Sequence, residues 1–180
     1  MITLRELVIQ DVRDEKGYVK WLNDPEVNRY LESRHIQHTL ETTTKYVEEM
    51  YNSKNNYLYG IFLESLHIGN IKIGNIDYRN RRADIGLLIS KEHWGRGIAK
   101  EAIKLTEAIA FSEFKLHKLF AGMYTPNEAS LKAFLRNGWR IVGEYKEHCI
   151  DDDNGNFVGC FMVEKINPNE NKAEQLSPGE

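Results

Sequence analysis

Residues 89–102 read Ile89-Ser90-Lys91-Glu92-His93-Trp94-Gly95-Arg96-Gly97-Ile98-Ala99-Lys100-Glu101-Ala102. An apolar run ends at Ile89, Gly95 and Gly97 follow, and an amphipathic pattern begins at once. The first N–H groups of a helix have no intrahelical acceptor, and the helix dipole favours negative charge beside them. Glycines let a ligand approach the backbone closely. The stretch is therefore a candidate anion site that suits a pyrophosphate. No Gly-Lys-Ser/Thr follows, so it is not a Walker A loop. The Gly-x-Gly-x-x-Gly dinucleotide fingerprint is also missing.

Upstream, Asp84–Ser90 carries Ile85, Leu87 and Ile89 in alternation with Gly86 and Leu88, apolar enough on both faces to be buried. Tyr57–Leu63 and His67–Ile76 precede it, separated by turns at Glu64-Ser65 and Asn80–Arg82. Three strands joined by short turns predict an antiparallel meander. Before them lie a strand at Ile2–Val8 and helices at Asp14–Leu22 and Glu41–Tyr51. Downstream, Gly97–Phe114 places Ile98, Ala102, Leu105 and Ile109 on one helical face and Lys100, Lys104 and Glu107 on another. A strand at Lys118–Met123 follows, then a helix at Asn127–Asn137 that Gly138 ends. Thr125-Pro126-Asn127-Glu128 has a capping-box pattern at its entry. Strands at Trp139–Ile150 and Phe157–Lys165 complete an α/β (α+β) fold. The expected sheet is mixed, mostly antiparallel, with six to seven strands flanked by about four helices.

The 180 residues suit a single domain, placed at 1–165. Residues 166–180 have almost no apolar side chains and read as a disordered tail. The net charge of −3, without a Lys/Arg block, argues against a nucleic-acid partner. No apolar run is long enough to span a bilayer. The charged, alternating N-terminus is unlike a signal peptide. A cytoplasmic protein without a membrane partner is expected. Cys149 and Cys160 form no Cys-x-x-Cys pair, so no metal is expected. A two-residue turn at Asn154-Gly155 would set Cys149 opposite Cys160, there read as reduced thiols. The contiguous acids Asp151-Asp152-Asp153 lack EF-hand spacing.

Trp94-Gly95-Arg96-Gly97-Ile98-Ala99 resembles the acetyl-CoA loop of the GNAT superfamily, whose pattern is Gln/Arg-x-x-Gly-x-Gly/Ala. Asn127-Glu128-Ala129-Ser130, continued to Gly138-Trp139, resembles the family's Asn-x-x-Ser…Gly-Phe segment. Their separation and the element order match as well, so the resemblance covers Ile2 to Lys165. It implies a GNAT-like fold and an N-acetyltransferase with acetyl-CoA as co-substrate. The amides of Gly95, Arg96, Gly97, Ile98 and Ala99 would cradle the pyrophosphate, with Arg96 near the phosphates. Leu88 and Ile89 would pair with the pantetheine arm, and one of their amides would polarise the thioester carbonyl. Asn127 and Ser130 would contact the cofactor. Trp94 replaces the usual Gln/Arg, as in the branch that includes ribosomal-protein N-terminal and amino-sugar acetyltransferases. Phe134 stands where many members place a tyrosine that protonates the departing thiolate, which phenylalanine cannot do.

Direct attack by an amine asks for alignment, charge stabilisation and a base. Asp84, His93 and His35 are the candidate bases. The acceptor would be read by the polar segment containing Asn28, Arg29, Tyr30 and Arg34, where an arginine could grip a phosphate or carboxylate. The expected partner is a small-molecule amine, first a nucleotide-linked amino sugar. A ribosomal or other protein N-terminus comes next, then a polyamine or antibiotic amine. A non-catalytic acetyl-CoA-binding module is the alternative from another class. A monomer or a homodimer fits the sequence.

Overall fold

The computed structural model describes residues 1–12, 17–151 and 154–170. Seven strands form one sheet in the order β1-β2-β3-β4-β5-β7-β6. They are β1 (Ile2–Glu6), β2 (Tyr57–Leu63), β3 (Leu66–Asp77), β4 (Arg82–Ile89), β5 (Lys118–Tyr124), β6 (Arg140–Asp151) and β7 (Asn156–Ile166). Among the described residues five α-helices accompany them: α1 (Tyr18–Asn23), α2 (Pro25–Asn28), α3 (Leu40–Tyr51), α4 (Ile98–Ser112) and α5 (Glu128–Leu135). The expected helix at Asp14–Leu22 is described only from Tyr18; residues 14–16 lie outside the described residues.

β1 to β4 form the antiparallel meander. β4 and β5 pair in parallel only at Arg82↔Lys118, Ala83↔Leu119 and Asp84↔Phe120. Beyond Asp84 no register joins them, so the β5-facing edge of Ile85–Ile89 has no strand partner. Such an edge is a template for an added extended chain.

The largest core cluster joins Ile61, Ile71 and Ile73 of the meander to Ala102, Ile103 and Ala110 of α4 and Leu119 of β5. The buried stripe of α4 is Ile98, Ala102, Ile103, Thr106, Glu107, Ala110 and Phe111. It is thus shifted from the expected face: Leu105 and Ile109 are only partly buried. Glu107, read as polar surface, is buried because it accepts Trp139 Nε1–H at 2.5 Å and Lys165 Nζ at 2.6 Å. Lys165 also donates to Asn137 O at 2.6 Å. A buried carboxylate is tolerated when paired and hydrogen-bonded in this way.

Three expectations need correction. β6 and β7 pair Asp151 with Asn156, so the connection has four residues rather than two. Tyr145 then faces Cys160, and Cys149 faces Val158. Lys146, Glu147 and His148 are bulged opposite Gly159, with Glu147 in the left-handed region at φ 48°. The two cysteines are free and not cross-strand partners. The domain also extends past 165. Ile166 ends β7, and Asn167 is buried, donating its N–H to His117 O at 2.8 Å and its amide to Leu116 O at 3.1 Å. Residues 171–180 lie outside the described residues. Lastly, Asn127 rather than Thr125 caps α5, accepting from Ser130 N–H at 3.3 Å.

Glu164 of β7 is buried between Lys118 and Arg140. Hydrogen bonds from Lys118 and then Arg140 hold its carboxyl below the usual carboxylate value. A depressed folded-state pKa stabilises above the unfolded value near 4.5, and that contribution is lost as pH falls through the folded value. Because Arg140 is largely exposed, Glu164→Gln should cost about 1–2 kcal/mol at pH 7. The gap to the parent in thermal melts should narrow as the pH is lowered toward about 3. A gap independent of pH would remove the carboxylate explanation.

Candidate active site

Where β4 and β5 part, a cleft of about 1360 Å³ opens. One wall carries Leu87, Leu88, Ile89, Gly95, Gly97, Ile98, Ala99, Asn127 and Ser130. The other carries Glu26, Arg29, Tyr30, Glu32, Tyr124, His148 and Cys149, with Lys72 and Asp84 beside the fork.

The first wall is built by the chain's exit from β4. Ser90 N–H bonds back to Ile68 O at 2.9 Å, and a 3-10 turn at Lys91–His93 follows. Gly95 and Gly97 then take φ of 74° and 75°, the left-handed region that glycine enters without strain. A Cβ at either would meet nothing within 4 Å, so the loop faces open space. Gly97 is the N-cap of α4 and offers no side chain to cap it. The first intrahelical bond runs from Glu101 N–H to Gly97 O, leaving the amides of residues 98–100 without an intrahelical acceptor. An unpaired strand edge leading into an uncapped helix end fits an extended amide chain ending in a pyrophosphate, as in coenzyme A.

Trp94 fastens this loop: its indole Nε1–H donates to Ile89 O at 2.8 Å, across the turn from strand to helix. Trp94→Phe keeps the ring and removes the donor. Acetyl-CoA affinity measured by calorimetry should fall about 3- to 10-fold, the worth of one hydrogen bond of roughly 1 kcal/mol. Unchanged affinity would mean that the bond does not set the loop.

At the fork, Asp84 accepts from Asn75 Nδ2 at 2.7 Å. Asn75 reaches it from a bulge in β3, with φ 49°. Bulges re-aim side chains, and asparagine tolerates this backbone. A Cβ on the neighbouring Gly74 would lie 2.6 Å from Lys72 Cε and 3.0 Å from Asp84 Oδ2, so a side chain there would crowd the lysine and the carboxylate. His93 is half-buried, its Nδ1 2.7 Å from the buried Ser90 Oγ. When Nδ1–H donates to Ser90, Nε2 holds the lone pair and can take a proton.

The cleft therefore brings together Asp84, His93, Leu88, Ile89, Gly95, Gly97, Ile98, Ala99, Asn127, Ser130, Arg29 and Tyr30. It does not include Asn28, Arg34, His35 or Arg96 among its lining residues. Asn28 is buried and donates to Leu22 O at 2.8 Å, which makes it a structural amide. Arg34 donates to Leu31 O, Tyr124 Oη and Ile150 O, so hydrogen bonds within the fold engage it rather than an acceptor phosphate. His35 ends the 3-10 turn Glu32–His35, and Arg96 is exposed on the loop. Phe134 is 1% exposed and packs edge-to-face on Trp139 at 4.7 Å.

Sequence reasoning missed Tyr124. Its hydroxyl donates to Glu32 Oε1 at 2.9 Å and accepts from Arg34 at 3.1 Å, and its ring meets Tyr30 edge-on at 5.9 Å. Burial and then the Glu32 bond push its pKa up to about 12, so the phenol stays protonated. The available signal was an aromatic at the end of a strand, three residues before Asn127.

The chain is similar to the uncharacterized N-acetyltransferase YoaA of Bacillus subtilis. They are 29% identical over 152 residues, covering 82% of this chain and 84% of that protein. It is 26% identical over 144 residues to the spermidine N(1)-acetyltransferase of Escherichia coli K12, covering 79% and 75%. The spermidine N-acetyltransferase of Vibrio cholerae, solved with CoA and spermine, shares the fold. Its TM-score is 0.82 at 19% identity, over 92% of this chain and 95% of that one. The family model described as the acetyltransferase (GNAT) domain matches residues 2–140, which include the meander, the forked strands and the glycine loop. The chain belongs to that family of acetyl-CoA-dependent acetyltransferases.

Proposed function

We propose that this chain transfers the acetyl group of acetyl-CoA by direct attack of a primary amine, and that the acceptor is a nucleotide-linked amino sugar. The observation that carries the transfer is the β4 edge, unpaired from Ile85 to Ile89 and leading into the glycine loop before α4. Acetyl-CoA, when bound, supplies the electrophilic carbonyl carbon. The amides of residues 95–99 hold the pyrophosphate, while Leu88 and Ile89 align the arm along β4. A backbone N–H at this strand end stabilises the charge that develops on the carbonyl oxygen. His93 Nε2 takes the amine proton, with Ser90 fixing the ring, and Asp84 is the other base within the cleft.

The acceptor wall has both signs of charge, which supports the amino sugar. Glu26, Glu32 and Asp84 suit an amine, and Arg29 and Lys72 suit phosphates. A polyamine would draw on the carboxylates alone. It is the second reading, favoured by the similarity to spermidine acetyltransferases. Thiol release from acetyl-CoA, measured against nucleotide amino sugars, free N-terminal peptides and polyamines, tests both. Fastest turnover of the nucleotide amino sugar is expected. Preference for spermidine would replace the acceptor assignment, and no turnover of any amine would remove the reading.

A further inference from the structure

The three carboxylates of the cleft are not equivalent. Glu26 is ion-paired with Lys91. Asp84 accepts the Asn75 amide. Glu32 accepts one hydrogen bond on Oε1, from the Tyr124 hydroxyl, and its Oε2 has no hydrogen bond or ion pair among the described residues. Arg34, two residues along, donates to a hydroxyl and two carbonyls. A carboxylate with one oxygen held and one open to a cleft is ready to bind a cation.

Its surroundings are suited to the same task. Tyr30 and Tyr124 stand edge-to-face beside it, with Arg29 over the Tyr30 ring at 5.3 Å and Arg34 over the Tyr124 ring at 5.4 Å, so both rings are held in place. The segment that presents it is fixed at several points. Tyr124 joins Glu32 to the end of β5, and Arg34 joins the 3-10 turn to β5 and, through Ile150 O, to β6. Three distant parts of the chain are thus joined through Tyr124 and Arg34. An exposed glutamate on a short 3-10 turn would otherwise sample many rotamers.

We infer that Glu32 is the residue that binds the acceptor's ammonium group, and that Tyr124 and Arg34 are positioning residues that aim it. The inference rests on the acetyl-transfer reading and adds to it the group that selects cationic amines. The ammonium is held by Oε2 while Tyr124 retains Oε1, so the amine arrives charged and surrenders its proton to a separate base before attack.

Steady-state kinetics on the whole protein, with the best amine of the panel, test it. Glu32→Gln should raise the acceptor KM about 10-fold or more, change kcat less than about 3-fold, and leave acetyl-CoA affinity by calorimetry unchanged. Tyr124→Phe should raise the acceptor KM about 3-fold, and adding it to Glu32→Gln should raise KM no further, because its effect passes through the carboxylate. An unchanged KM in Glu32→Gln, a loss confined to kcat, or additive effects in the double variant would overturn the inference while leaving the transferase reading intact. Absence of wild-type turnover with every amine would remove both.

Discussion

Gly97→Glu is expected to abolish acetyl-CoA binding, with affinity falling about 100-fold or more, equivalent to roughly 3 kcal/mol. Gly97 is the uncapped N-cap of α4 at φ 75°, where a side chain is strained by about 1 kcal/mol or more. The carboxylate would also stand where the helix end favours an anion, competing with the pyrophosphate. Gly97→Ala separates the two effects. A Cβ there meets nothing within 4 Å, so alanine introduces backbone strain without charge. It should cost about 10-fold or less. Calorimetry on both variants, with circular dichroism to confirm folding, checks the ordering. Equal losses would mean that backbone strain alone explains the effect, and retained affinity in Gly97→Glu would remove the loop from the binding site.

Phe134→Ala should be the most destabilising of the substitutions considered. The ring is 1% exposed and belongs to the cluster that includes Ala102, Ile103 and Trp139. Emptying such a site costs about 3–5 kcal/mol, and the edge-to-face contact with Trp139 is part of the loss. Trp139 bonds to Glu107 of α4, so the ring also sets how α5 sits against the helix of the glycine loop. For a chain of this size the midpoint of thermal unfolding should drop by about 10 °C. Phe134→Leu, which refills much of the volume, should recover about half of that. A drop under about 3 °C for alanine would mean that the site collapses around the loss.

The elements that could be read from sequence are those whose signal is local. Tyr57–Leu63 is an apolar, aromatic run bounded by turn residues, and β2 has the same limits. The glycine loop declared itself because left-handed backbone and an uncapped helix start both select glycine. What was not legible depends on partners far along the chain. Glu107 looks like surface until Trp139 and Lys165, 32 and 58 residues away, are folded onto it. Arg34 looks like a free phosphate ligand until Tyr124, 90 residues away, lies beside it. The β6–β7 register failed for a different reason. Asn-Gly signals a two-residue turn, but the connection from Asp151 to Asn156 has four residues, which already sets Cys149 opposite Val158, and the bulge at Lys146–His148, invisible to period-two counting, shifts the pairings beyond it again. Gly159 is its one trace. A Cβ there would lie 2.6 Å from Glu144 Oε1 and 3.0 Å from Tyr145 O, so the bulged strand has room only against glycine.

The most direct test of the central claim is titration of acetyl-CoA into the whole protein by calorimetry, followed in the same cell by thiol release on addition of the amine panel. Saturable one-site binding, lost in Gly97→Glu, and release of free CoA with a primary amine are the expected results. A folded protein that takes up no acetyl-CoA would contradict the claim.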